Sequence, residues 1–159
     1  MNALLNEMTD TVVGSQHAAG ELRAGLLTAR RYEKDMLFGA IGVADLERAR
    51  TRWRESMDQA QAGLKALAEQ RQDAQGKPLV EALKRHFEAY QQGMQQVMGS
   101  LTQGGMADQA QAAWDAPRQA KKSVDEAEKS LSQMLSMIDE EERRLVEQGR
   151  KATGQVNWM

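Results

Sequence analysis

Apolar residues recur along this chain in alternating steps of three and four, the spacing that brings side chains onto one face of an α-helix. Four runs follow this pattern, and short segments that contain glycine or proline divide them. The pattern predicts helices over residues 2–38, 45–74, 78–103 and 106–153, with breaks near 39–44, 75–78 and 103–105. It therefore predicts an all-α fold without a sheet.

Each predicted helix carries one seam of core residues. Asp45 is expected to cap the second helix, and Pro78 to be the first residue of the third, where its missing N–H has no acceptor. Glu33 is a carboxylate at a seam position, and we expect a salt bridge to an arginine across the bundle. The seams comprise Leu5, Met8, Val12, Ser15, Ala19, Leu22, Leu26, Ala29, Glu33 and Met36; Leu46, Ala49, Trp53, Met57, Ala60, Leu64 and Leu67; Val80, Leu83, Phe87, Tyr90, Met94, Val97 and Leu101; and Val124, Ala127, Leu131, Met134, Ile138 and Leu145.

The short connections predict that residues 1–159 form one antiparallel up-down-up-down four-helix bundle. The repeats are close to heptads, so packing angles near 20° are expected. Composition agrees, because the chain is 41% hydrophobic and 28% charged with only 2 prolines and 4% aromatic residues. Helix-forming residue types dominate it.

The net charge and the residue types argue against several classes of function. The net charge is −2 and both signs alternate along the chain, so we expect no nucleic-acid partner. With no cysteine and two isolated histidines, we expect no metal and no cofactor. No catalytic constellation is recognisable, which predicts a protein that is not an enzyme. No apolar stretch approaches the roughly 20 residues of a membrane span, so membrane contact is expected only through flanking segments beyond these ends.

Two stretches, residues 28–37 (TARRYEKDML) and 112–119 (AAWDAPRQ), resemble the four-helix-bundle periplasmic ligand-binding domain of bacterial methyl-accepting chemotaxis proteins. The more diagnostic element is Pro117 inside the fourth helix, because an interior proline costs about 3 kcal/mol. In that family an arginine near the end of the first helix takes the ligand's carboxylate, and the resemblance assigns this role to Arg30. It also places Trp114 on an aromatic position.

The resemblance further places Ala116 and Arg118 on polar contact positions beside the proline. Asp35 and Gly39 stand where the enteric receptors have two more arginines, so their amino-acid specificity does not transfer. The resemblance implies a different small acid as ligand. In order of preference, the expected ligand classes are di- or tricarboxylates, then aromatic carboxylates, then amino acids.

Helical geometry gives an independent expectation for the site. If the first and third turns lie at the same end, Arg30 lies roughly 13 Å from that end, level with residues 114–118. Trp53 and Tyr90 fall near the same level. The guanidinium offers a planar fork for a carboxylate. The candidate ligand-binding residues are Arg30, Arg31, Trp114, Arg118, Tyr90 and Trp53.

Structural interpretations of the same residues stay open. Arg30 and Arg31 suit solvated surface ion pairs, and Trp53 and Tyr90 suit core packing. Arg118 suits an ordinary solvated face, on which Lys121 and Lys122 alternate with Asp125, Glu126 and Glu128.

The expected function is that of a periplasmic sensor that binds a small carboxylate, forms a homodimer or higher symmetric oligomer, and signals by helix displacement across the membrane. The alternatives are a sensor-kinase input domain, or a structural or protein-interaction bundle with no small ligand.

Overall fold

A computed structural model describes the backbone of residues 2–39, 43–103 and 106–157, and the side chains of residues 5–37, 44–101 and 117–152. Within these ranges the chain forms four long α-helices and one π-helical turn, and no strand is present. The protein is therefore all-α, as the apolar pattern predicts.

The first helix, α1, spans Asn2–Lys34, and a single π-helical turn follows at once over Asp35–Gly39. The chain is thus helical up to the predicted first break. The apolar spacing predicts a helix here but not its π form, because a single wider turn leaves the seam almost unchanged. Residues 40–42, which are half of the predicted break, lie outside the described residues.

The second helix, α2, spans Val43–Gln70, so it begins earlier than predicted and ends before residue 74. The prediction that Asp45 is its N-cap is wrong, because Asp45 lies inside the helix. Its carboxylate approaches Arg48 at 3.6 Å, and both side chains are largely exposed. A carboxylate in the first turn still interacts favourably with the positive end of the helix dipole.

The third helix, α3, spans Gly76–Gln103, and the break that precedes it covers residues 71–75 rather than 75–78. Asp73 is the capping residue, since its Oδ2 accepts a hydrogen bond from the Gly76 amide at 3.1 Å. The prediction that Pro78 begins the helix is wrong by two positions. Pro78 still lies in the first turn, where an amide has no helical acceptor.

The fourth helix, α4, spans Met106–Asn157 and contains Pro117. It therefore ends beyond the predicted residue 153. Residues 104 and 105 of the predicted third break lie outside the described residues.

The four predicted seams form the core. Of their members, 25 are at most 7% exposed, including Glu33 and Ser15. Met8 does not belong to the core, because it is 42% exposed. The members that are only partly buried lie toward the ends of the seams: Leu5, Leu46, Leu101 and Leu145.

The helices pack most extensively as α1 on α2 and α3 on α4, with further contact between α1 and α4. Two glycines bring the backbones of α1 and α2 close together. A Cβ added at Gly63 would lie 2.5 Å from the Leu22 nitrogen, and one at Gly25 would lie 2.6 Å from the Ala60 nitrogen. Both distances are too short for any side chain, so α1 and α2 can meet this closely only with glycine at these positions.

Candidate functional site

Arg30 lies near the C-terminal end of α1 and reaches across to α4. Its Nη1 donates to both carboxylate oxygens of Glu128, at 3.0 and 3.1 Å, and its Nη2 lies 3.5 Å from Asp125 Oδ1. The arginine side chain is 22% exposed, while those of Glu128 and Asp125 are 35% and 51% exposed. Arg30 is therefore held by an ion pair between helices, which sequence reasoning did not predict.

One donor of this guanidinium remains unused. The Nε of Arg30 is buried and has no hydrogen-bond partner among the described residues. Burial by itself lowers the pKa of Arg30. The hydrogen bond to Glu128 and the nearby charges of Glu128, Asp125 and Glu33 outweigh that effect and raise the pKa above its ordinary value. Arg30 is therefore a permanent cation with one donor available.

A hydrogen-bonded chain of three buried side chains lies beside Arg30. The Trp53 indole Nε1 donates to the Tyr90 hydroxyl at 3.1 Å, and that hydroxyl donates to Glu33 Oε1 at 2.6 Å. The rings of Trp53 and Tyr90 meet edge to face, with centroids 6.1 Å apart. This chain links α2, α3 and α1 at one level of the core, since each helix contributes one member.

The partner of Glu33 is thus Tyr90, and the expectation of an arginine across the bundle is wrong. Burial raises the pKa of Glu33, against the lowering effects of the Tyr90 hydrogen bond and of the Arg30 charge. Burial, together with the charge of Glu33, also raises the pKa of Tyr90, so its hydroxyl stays protonated and remains a donor. The polar atoms of Trp53 and Tyr90 are engaged in the core.

A groove of about 500 Å³ runs between α1 and α4. Arg30, Arg23 and Leu27 line it from α1, while Glu128 and Leu135 are among the α4 residues that line it. Ligand sites in proteins typically enclose about 300 to 1,000 Å³. The groove thus has the volume of a small-molecule site and a cationic donor in its wall.

Two other predicted site residues, Arg31 and Arg118, do not lie at this groove. Arg31 is exposed and does not line the groove, and neither does the exposed Arg118. The side chain of Trp114 lies outside the described residues. Arg30 meets α4 at Glu128, ten positions beyond Arg118, which corresponds to roughly 15 Å along a helix.

The expectation that Arg30 and residues 114–118 share a level is therefore wrong. That expectation requires the first and third turns to lie at the same height along the bundle. Glu128 is more than twice as far along the chain from its turn as Arg30 is from the first turn.

Sequence reasoning missed the roles of Asp125 and Glu128. The sequence predicts that both lie on a solvated face of α4, because local spacing gives no sign that they face Arg30. An acidic pair at i and i+3 is a signal for a facing cation, but it is common on exposed helices.

Comparisons with protein-family models, curated proteins and solved structures give no match to this chain. Among the described residues, none of the helices combines the length and the apolar character needed to cross a membrane. The same residues contain no cluster of three or more histidine, aspartate or glutamate side chains suited to a metal ion.

Proposed function

We propose that this chain is a ligand-binding domain that holds a small carboxylate in the α1–α4 groove. The observation that supports this most directly is the position of Arg30, whose guanidinium lines a groove of about 500 Å³ while its buried Nε has no acceptor. A buried donor without an acceptor costs roughly 1 to 3 kcal/mol. If a ligand oxygen provides the acceptor that this Nε lacks, part of that cost is recovered.

The apolar walls of the groove support the same proposal. The buried Leu26 and Leu131 and the exposed Leu27 are among the residues that line the groove. An ion pair gains strength where neighbouring apolar groups exclude water. A small acid with an apolar body suits this arrangement, in which Arg30 lies among leucines and the exposed Arg23 lies farther along the same groove.

The proposed architecture is an antiparallel up-down-up-down bundle, in which ligand binding displaces α4 relative to α1. Contacts between helices support it: Gln16 bonds Glu142 at 2.8 Å, whereas Arg30, farther along α1, bonds the earlier Glu128. Residue numbers that increase along α1 thus pair with residue numbers that decrease along α4, which is the pattern of antiparallel helices. Paired spin labels at Leu27 and Ser132, and separately at Val13 and Val146, test this, because both pairs are close only if the helices are antiparallel.

We further propose that the domain belongs to a periplasmic chemotaxis receptor that acts as a homodimer or higher symmetric oligomer. The resemblance of residues 28–37 and 112–119 to such receptors supports this step. Protease added to spheroplasts that carry the full-length receptor should digest this domain. Sedimentation of the domain should show an oligomer that the ligand strengthens.

The central test is a panel of succinate, citrate and benzoate, measured by thermal shift and then by calorimetry. An acid at a hundred times its Kd should raise the stability by about 2.7 kcal/mol. Arg30→Ala should weaken binding by about 2 to 5 kcal/mol, because the ligand's carboxylate loses its partner. Arg31→Ala is the matched control and should bind normally.

The same substitution also removes the ion pair with Glu128. This loss should cost the fold no more than about 1 kcal/mol, since the pair is partly solvated. Failure of all three acids to shift the melting curve would contradict the proposal. Normal binding by Arg30→Ala would move the site away from this groove.

A second candidate function is a helical bundle that binds another protein and no small ligand. Three exposed apolar residues favour it, since Val13, Leu27 and Val146 are all more than half exposed on α1 and α4. Substitution of Val13 and Val146 by serine should abolish partner binding and leave binding of any acid unchanged, because Leu27, which lines the groove, is kept.

A further inference from the structure

The surroundings of Arg30 are acidic. Glu128 pairs with it at 3.0 Å and Asp125 approaches at 3.5 Å. Glu33, one helical turn along α1, adds a third carboxylate to the charges that act on the guanidinium. Lys34 is the next residue along α1, but it is exposed. One partly buried cation therefore faces three carboxylates.

A carboxylate of the protein already binds Arg30 in the way that a ligand carboxylate would. Both oxygens of Glu128 lie within hydrogen-bond distance of Nη1. This guanidinium group cannot hold a second carboxylate there while Glu128 keeps its place.

We propose that Glu128 is an internal competitor for the ligand and that the ligand which displaces it carries a single carboxylate. This inference rests on the proposed function and adds to it a ligand class and a mode of control. The displaced Glu128 and the neighbouring Asp125 remain close to the bound acid. Arg23 and Asp139 also line the groove, but they carry opposite charges and both are exposed, and Arg23 lies seven residues, or roughly 10 Å, before Arg30 on α1. Beside Arg30, a second or third carboxylate on the ligand therefore meets the like charges of Glu128 and Asp125.

The remainder of the ligand contacts the leucines of the groove. Leu27 and Leu135 line its walls together with the buried Leu131. An uncharged aromatic or aliphatic body suits these walls. Since the Arg30–Glu128 pair spans α1 and α4, the exchange also removes an ionic link between the helices whose displacement would carry the signal.

The test compares benzoate, with one carboxylate, and citrate, with three, by calorimetry on the wild-type chain, Glu128→Gln and Asp125→Asn. Glu128→Gln should bind benzoate up to about fivefold more tightly, because a partly solvated ion pair is worth up to about 1 kcal/mol and no longer competes. Asp125→Asn is the matched control and should change the benzoate Kd by less than about twofold, since its contact is longer and more exposed. Citrate should bind the wild-type chain at least about fivefold more weakly than benzoate.

The other outcomes distinguish failure of this inference from failure of the proposed function. If benzoate binds the wild-type chain and Glu128→Gln equally, or binds the variant more weakly, Glu128 is not a competitor and the proposed function survives. If citrate binds more tightly than benzoate through Arg30, the single-carboxylate ligand class is wrong and the proposed function again survives. If none of these chains binds either acid, this inference is overturned. Absence of binding by succinate as well would overturn the proposed function.

Discussion

Replacement of Tyr90 by phenylalanine tests the buried chain of Trp53, Tyr90 and Glu33. The hydroxyl of Tyr90 is the middle member, since it accepts from Trp53 at 3.1 Å and donates to Glu33 at 2.6 Å. Its removal leaves a buried indole N–H and a buried carboxylate without these partners. A hydrogen bond to a charged group contributes about 1.5 to 3 kcal/mol, and a buried N–H without an acceptor costs about 1 to 3 kcal/mol. Tyr90→Phe should therefore lower the free energy of unfolding by about 3 to 4 kcal/mol near neutral pH.

The cost should depend on pH through Glu33. Burial raises the pKa of Glu33 above its ordinary 4.5, so the folded chain holds this proton more tightly than the unfolded chain does. The contribution of Glu33 to stability is thus fully present below the ordinary pKa and declines as the pH rises through the higher, folded pKa. Loss of the Tyr90 hydrogen bond raises the folded pKa further and makes this decline larger. The cost of Tyr90→Phe should therefore shrink by about 1 kcal/mol between about pH 7 and about pH 4.

Urea denaturation followed by far-ultraviolet circular dichroism measures both values. Tyr32→Phe is the matched control, because Tyr32 is the other tyrosine of the chain and is half-buried on α1. It should change the stability by less than about 0.5 kcal/mol. In a Glu33→Gln background the Tyr90→Phe cost should fall and its pH dependence should vanish. A cost below about 1 kcal/mol, or one that is equal at the two pH values, would refute the reasoning.

Two further predictions concern the packing of α1 on α2 and the buried Arg71. Gly63→Ala should destabilise the chain by about 1 to 3 kcal/mol, because its Cβ would lie 2.5 Å from a backbone nitrogen of α1, whereas Gly20→Ala, with open space around it, should stabilise by up to about 1 kcal/mol. Equal effects in thermal melts would contradict the close approach of α1 and α2. Ser15→Ala should cost about 1 to 3 kcal/mol by leaving the buried Arg71 Nε, now 2.9 Å from the Ser15 hydroxyl, without an acceptor. The exposed Ser136→Ala is its control, and a loss no larger than the control's would show that Arg71 does not depend on Ser15.

Most of the fold could be predicted from the sequence because a helical seam is a local property. The step from Leu22 to Leu26 to Ala29 follows from the 3.6-residue turn, and all three are buried. Helix ends were less predictable. Asp73 caps α3 although Pro78 suggested a later start, because proline is tolerated anywhere in a first turn.

The candidate site could be predicted only in part. The sequence indicated that Arg30 is a candidate and that Glu33 is a carboxylate at a buried position, since both statements depend on residue type and local spacing. It could not indicate that Glu128 holds Arg30 or that Tyr90 holds Glu33.

The sequence by itself therefore determined the helices, their buried faces and the residues able to carry charge into the core. Only the tertiary structure decided which side chains meet across the helices. Seam spacing is the same whether α4 slides one turn up or down beside α1, whereas one turn, about 5.4 Å, separates a hydrogen bond from no contact. The relative axial shift of packed helices depends on how whole faces fit, including the glycine contact between Gly63 and Leu22, and no single segment encodes it.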